Sequence, residues 1–267
     1  MSKVLLITGG ATGIGAATAR LAVAKGYAIA INYRTREQEA AALVDELKAG
    51  GVRAIAVHAD ISRSEDIERL YREVDEKLGP VTALVNSAGI GMGPTRVDAA
   101  DAALLQYLFQ TNVIGLILST REAVRRMSTA HGGKGGVIIN VSSMASTIGG
   151  RPGASFYAAT KGAVDAFTVG LAKEVASEGI RAVSVRPGFT LTEMTSVYAS
   201  DQQRLAEIAA TIPIGRPGFV EEIAKPIVWL LSDDASFISG ARLDISGGGF
   251  TFGGSGLPPV QKSWVSN

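Results

Sequence analysis

Short apolar runs alternate along this chain with longer amphipathic stretches. VLLIT (Val4–Thr8) precedes GIGAATARLAVAKG, AIAINY (Ala28–Tyr33) precedes REQEAAALVDELKAGG, and RAIAVHAD (Arg53–Asp60) precedes SEDIERLYREVDEKLG. VTALVNSAG (Val81–Gly89), GVIINVSS (Gly136–Ser143), IRAVSVRPG (Ile180–Gly188) and ARLDISGG (Ala241–Gly248) continue the series. The runs are rich in β-branched residues and apolar on both faces, the pattern of strands in a parallel sheet covered on both sides. The stretches between them have helical period: Leu43, Val44 and Leu47 fall on one stripe, with Glu37, Asp45 and Lys48 facing water. The pattern predicts a doubly wound α/β fold with about seven mainly parallel strands and helices on both faces. No linker interrupts the alternation, so residues 1–248 read as one domain and 249–267 as a C-terminal extension.

Composition narrows the function. The 267 residues are 46% hydrophobic and 19% charged, with a formal net charge of +1, so nothing marks a nucleic-acid or anionic-membrane partner. There is no cysteine, which excludes disulfides and thiolate chemistry, and the two histidines, His58 and His131, argue against a metal site. The N-terminus lacks a signal-peptide pattern and no apolar run reads as a membrane span, so a cytoplasmic protein is expected.

Two short stretches carry candidate chemistry. TGGATGIG (Thr8–Gly15) follows the first strand and opens the first helix, the context of a dinucleotide fingerprint and of a Rossmann-type fold. Gly9, Gly13 and Gly15 allow a tight turn, close approach to a pyrophosphate and close helix–strand packing, and the helix start offers free N–H groups to phosphate. A glycine-rich turn with no ligand is the alternative. SFYAATKGAV (Ser155–Val164) sets Tyr157 and Lys161 four residues apart, on one helix face. A free tyrosine, with a pKa of about 10, is a poor base at neutral pH, and a nearby ammonium favours its phenolate. Alone, such a pair is more often a surface feature.

The spacing of the glycine turn resembles the short-chain dehydrogenase/reductase family. NSAG (Asn86–Gly89), FQTNVIG around Asn112, NVSS with Ser142 and Ser143, YAATK, and RPGFTLTEM then match that family in order. The likeness runs from Lys3 to about Gly248, nearest to the 3-oxoacyl-carrier-protein reductase-like and sugar dehydrogenase-like enzymes. It implies a catalytic set of Asn112, Ser143, Tyr157 and Lys161, with Asn112 binding a water that leads from Lys161 to solvent. Strand alternation points Ser142 and Ser143 to opposite faces, so only one can serve, and the resemblance selects Ser143. It also implies a cofactor cradle of Gly9, Thr12, Gly13, Ile14 and Gly15, adenosine contacts at Tyr33, Arg34, Asp60, Ile61, Asn86, Ala88 and Gly89, and nicotinamide contacts at Tyr157, Lys161, Pro187, Gly188, Phe189 and Thr192.

Tyr33 stands where NAD-specific relatives carry an acid, and Arg34 follows with a planar fork suited to phosphate. NADP(H) is therefore expected over NAD(H). The expected activity is interconversion of a carbonyl and a secondary alcohol by hydride transfer, with Tyr157 moving the proton. The alternatives are a non-catalytic NADP(H)-binding regulatory protein and a serine hydrolase, the latter without a G-x-S-x-G elbow or a histidine partner. The segment from Glu193 to Ala210 reads as a substrate lid. The resemblance implies a homodimer or homotetramer, and Val164, Phe167, Leu171 and Val175 are expected to lie too far around their helix for the sheet alone to bury.

Overall fold

A computed structural model gives the fold and describes residues 3–196 and 201–250. All seven apolar runs form strands: β1 Lys3–Thr8, β2 Tyr27–Tyr33, β3 Ala54–His58, β4 Ala83–Asn86, β5 Gly136–Val141, β6 Ile180–Pro187 and β7 Arg242–Ile245. They make one parallel sheet in the order β3-β2-β1-β4-β5-β6-β7. The chain winds outward from β1 through β2 and β3, then crosses back to β4. The strand order therefore reverses between β1 and β4, where a crevice opens at the carboxyl ends of the strands. Register pairs Thr8 with Asn86 at that edge. Several strands end before their apolar runs do, because the last residues leave the ladder to line the crevice.

Strand alternation splits the core in two. Leu5, Ile7, Ile29, Ile31, Val137 and Ile139 face α1 (Gly13–Ala22), α2 (Glu37–Ala49) and α9 (Val220–Leu230). Val4, Leu6, Ala28, Ala30 and Ile138 face α3 (Ser64–Lys77), α5 (Leu116–Met127) and α7 (Ser155–Val175). The stripe foreseen on α2 is present: Ala40, Leu43, Val44 and Leu47 are buried. Three shorter helices complete the described chain: α4 (Ala102–Phe109), α6 (Ala145–Ile148) and α8 (Gln202–Ala210).

Two expectations change. Helix α4 runs through a π turn, Gln110–Gly115, into α5, and the continuous helix Ala102–Met127 is long and apolar enough to cross a membrane by length and composition alone. The sequence reading passed over it. In the fold this helix buries polar Asn112, Ser119, Thr120 and Glu122 along with Leu108, Leu116, Ala123 and Met127. On α7, Val164, Leu171 and Val175 are already buried within the single chain, and Phe167 is partly so. Strand β6, helices α4 and α6 and the π turn pack against α7, so these residues give no argument for pairing with a second copy. The exposed positions on this helix include the small residues Ala159 and Ala166.

Candidate active site

The glycine turn sits where the chain leaves β1. Gly9 has φ +62, and a Cβ there would stand 2.7 Å from the Ala88 Cα, so only glycine lets the two turns close on each other. A Cβ on Gly15 would stand 2.4 Å from the Gly9 carbonyl oxygen, which packs the start of α1 against the turn. Thr12 precedes α1 without a side-chain cap, so the first N–H groups of the helix are left uncapped from within. Ile14 packs at the edge of the core. Asn32 on β2 fixes the turn: it is 2% exposed, its Oδ1 accepts from the Gly9 N–H at 3.3 Å, and its Nδ2 donates to the Ala59 carbonyl at 2.8 Å.

One side of the crevice gathers Tyr33, Arg34, Asp60 and Ile61. The Tyr33 ring meets His58 edge-on at 5.5 Å. Arg34 lies 3.8 Å from Asp60 and 5.7 Å from the centroid of the Tyr107 ring. Asp60 accepts from the Ser62 N–H at 2.9 Å, and its own N–H donates to Asp66 at 2.8 Å. Ile61 is buried. Arg36 pairs with Glu39 and with Glu193, joining the start of α2 to the expected lid. Asn86 offers only its backbone to the crevice. Its side chain turns inward, donating to Thr120 at 3.0 Å and to Asn140 at 2.9 Å, while Asn140 donates to Thr168. The Ala88 N–H donates to the Thr8 hydroxyl at 3.3 Å.

The other side brings the expected catalytic set together. Ser142 is 2% exposed and donates to the Lys161 carbonyl at 3.1 Å, which takes it out of reach of a substrate. Ser143 is partly exposed, accepts from the Ala145 N–H at 3.1 Å, and hydrogen-bonds the Tyr157 phenol. Burial pushes that phenol above its usual pKa, and the Ser143 hydrogen bond works against the rise. The shift is opposite to the lowering expected from Lys161, because burial outweighs every other influence. Lys161 is 5% exposed, with its Nζ donating to the Val141 carbonyl at 2.8 Å and lying 5.7 Å from the Tyr157 ring centroid. Burial lowers its pKa to about 8, and the Asp165 carboxylate opposes that fall.

Asn112 occupies the π turn. Its Oδ1 accepts from the Ile90 N–H at 2.8 Å, and its Nδ2 donates to the Ile90 carbonyl at 2.9 Å and to Thr160 at 3.2 Å. Its side chain is therefore committed to the loop after β4. Asn112 Oδ1 and Lys161 Nζ converge on Gly89, at 3.4 and 3.6 Å from where its Cβ would stand.

The description short chain dehydrogenase belongs to the family whose profile matches residues 3–203 of this sequence. The chain belongs to the short-chain dehydrogenase family. It is an oxidoreductase of that family. It is 42% identical over 245 residues to an uncharacterized oxidoreductase, YgfF, of Escherichia coli K12, covering 92% of this chain and 99% of that one. Among solved structures it resembles a blue fluorescent protein from a metagenomic library in complex with NADPH, with TM-score 0.84, 34% identity and coverage of 92% and 97%. It also resembles the 3-ketoacyl-(acyl-carrier-protein) reductase of Brucella melitensis complexed with NADH, with TM-score 0.83, 32% identity and the same coverage.

In this short-chain dehydrogenase the turn after β6 closes the crevice. The Pro187 carbonyl accepts from the Met144 N–H at 3.0 Å, and the Gly188 N–H donates to the Ile245 carbonyl at 2.9 Å. The Phe189 carbonyl accepts from the Gly218 N–H at 2.9 Å. Thr192 reaches across to the glycine turn, where its methyl would meet a Cβ on Gly13 at 3.8 Å. The segment expected to form a lid begins with a single turn, Glu193–Thr195, whose Met194 is 51% exposed, and includes α8. Val197 and Tyr198, expected in the lid, lie outside the described residues, as do Phe252 and Trp264 of the tail. Sequence reasoning missed Asn32, Tyr107, Asn140 and Asp165. Asn32 and Asn140, polar residues inside apolar strand runs, carried a readable signal, since a buried amide needs partners.

Proposed function

We propose that this enzyme is an NADP(H)-dependent oxidoreductase that interconverts a carbonyl and a secondary alcohol, with Tyr157 as the group that moves the proton. The observation that carries this reading is the grouping of Ser143, Tyr157, Lys161 and Asn112 beside a glycine cradle whose turns a Cβ would jam. The cradle fits a dinucleotide: Gly9, Thr12, Gly13, Ile14 and Gly15 would hold the pyrophosphate, Asp60, Ile61, Ala88 and Gly89 the adenosine, and Gly188, Phe189 and Thr192 the nicotinamide. When bound, the nicotinamide supplies or accepts a hydride. Tyr157, with its phenol kept protonated by burial, donates its proton to the carbonyl oxygen as negative charge develops there. Ser143 donates to the same oxygen and stabilises that charge. Lys161, as an ammonium, holds the nicotinamide ribose and stabilises the phenolate left behind, and a water at the π turn of Asn112 returns the proton.

The preference for NADP(H) rests on Arg34 and Arg36 at the end of β2 and on the absence of an acid at Tyr33. The NADPH complex of one relative supports it, and the NADH complex of another shows that the fold admits both coenzymes. The reading takes residues 1–248 as the catalytic domain, with 249–267 as an extension at a subunit interface of a homodimer or homotetramer. Light scattering on the full chain and on one truncated at Gly249 tests the assembly.

A panel of ketones and alcohols, read at the nicotinamide absorbance with NADPH and NADH at fixed substrate, tests the function. Turnover favouring NADPH, with Arg34→Ala erasing that preference, is the expected result. Tight NADPH binding without turnover on any substrate, or an Arg34→Ala enzyme that keeps the preference, would overturn it.

A further inference from the structure

Asn32 is a buried amide one residue before the end of β2, in a strand whose preceding residues Ala28, Ile29, Ala30 and Ile31 are buried and apolar. Its Oδ1 accepts from the Gly9 N–H at 3.3 Å. Its Nδ2 donates to the Ala59 carbonyl at 2.8 Å and to the Tyr33 carbonyl at 3.2 Å, with the Val57 carbonyl at 3.5 Å. Among the described residues the Gly9 N–H has no other acceptor and the Ala59 carbonyl no other donor. An apolar side chain here would bury well and leave both groups unpaired. One amide thus joins two turns that lie far apart in the sequence.

The two turns serve different parts of a dinucleotide. Gly9 opens the turn placed against the pyrophosphate, and Ala59 leads into Asp60 and Ile61, placed against the adenosine. Each turn has a backbone bond to β2: the Gly10 N–H donates to the Asn32 carbonyl at 3.0 Å, and the Ala59 N–H to the Tyr33 carbonyl at 2.9 Å. The Asn32 amide adds a second bond to each, so that the tilt of both turns is set by one side chain. Within itself each turn is held independently of that amide: Gly9 packs on Ala88, and the Asp60 N–H donates to Asp66 at 2.8 Å. We infer that Asn32 is a positioning residue that holds the pyrophosphate turn and the adenosine turn at the spacing of one dinucleotide, so that a ligand spanning both meets them already aligned. This rests on the coenzyme placement proposed above. Without the amide, a spanning ligand must align the two turns as it binds, at a cost in affinity, whereas a ligand on one turn has nothing to align.

Calorimetry on the full chain compares three ligands. NADPH and 2′-phospho-ADP-ribose span both turns, and adenosine 2′-monophosphate meets the adenosine turn alone. Asn32→Leu removes the amide while still filling its place. Its Kd for both spanning ligands should rise about tenfold, the weight of about one hydrogen bond, with that for adenosine 2′-monophosphate within about twofold of native. The KM for NADPH should rise with Kd, while kcat at saturating NADPH stays within about twofold, because the reacting groups lie on the other side of the crevice. A loss shared equally by all three ligands is what a general weakening of the sheet would give, and it would overturn the inference. So would unchanged Kd values for the spanning pair, or a fall in kcat at unchanged KM. Should Asn32→Leu not fold, Asn32→Ala is judged by the same ratio of spanning to single-turn affinity; should neither fold, Asn32 serves the fold as a whole and the inference falls. A native chain that binds all three ligands without turnover on any substrate would refute the proposed function alone and leave the Kd comparison to decide; one that binds none would overturn both.

Discussion

Truncating Asn112 to alanine should loosen the wall of the crevice before it touches the chemistry. The native side chain makes three hydrogen bonds, to the Ile90 N–H at 2.8 Å, the Ile90 carbonyl at 2.9 Å and Thr160 at 3.2 Å. It is 1% exposed, so the groups it leaves behind are poorly placed to recover water. With each lost bond costing about 1 kcal/mol, and more where a buried partner stays unpaired, the total is about 2–4 kcal/mol. For a domain of this size that lowers the Tm by about 5–12 °C. Calorimetry on the protein without cofactor gives the Tm, and limited proteolysis reports the loop after β4. Asn112→Asp should fall between, since it keeps an acceptor for the Ile90 N–H and loses the donor for the Ile90 carbonyl. A Tm drop under about 2 °C for Asn112→Ala, with unchanged protease sensitivity, would refute the reasoning.

Other changes probe different joints. Gly115→Ala would put a methyl 2.1 Å from the Ile61 carbonyl oxygen, so the turn carrying Asp60 and Ile61 must move; a loss of about 3 kcal/mol in urea unfolding is expected, and a neutral outcome would refute the close contact. Glu222 is held at a pKa of about 2, first by the Arg216 guanidinium and then by the Phe219 N–H, against an ordinary 4.5. Its folded value is depressed, so its contribution is complete above about pH 5 and lost as pH falls through 2. Glu222→Gln should therefore have a lower Tm than the native protein at neutral pH, with the gap closing between pH 4.5 and 2; a gap independent of pH would contradict that account.

The parallel sheet was legible because strands buried on both faces leave continuous apolar runs, and all seven became strands. The glycine turn was legible because strand, turn and helix follow one another directly. Helical period shows which residues share a stripe, and it is silent on what covers that stripe. This is why Val164, Leu171 and Val175 were expected to be left uncovered, whereas the fold buries them. Side-chain direction was equally hidden: the NSAG motif named Asn86, and only the fold turns its amide inward to Thr120 and Asn140. Tyr107 meets Arg34 through a crossing of distant segments that no local pattern announces. Burial also reversed the expected direction of the Tyr157 shift, since the sequence displays the lysine four residues away and not the desolvation around both.

The central claim is that Tyr157 moves the proton. Tyr157→Phe removes one oxygen from a partly buried ring that Lys161 and Ser143 surround. The direct measurement is kcat for NADPH-dependent reduction of a carbonyl substrate by the native enzyme and by Tyr157→Phe, with the NADPH Kd determined for both. The account predicts a fall in kcat of at least about 100-fold with Kd within about twofold. A Tyr157→Phe enzyme that retained kcat within about tenfold of native would contradict it.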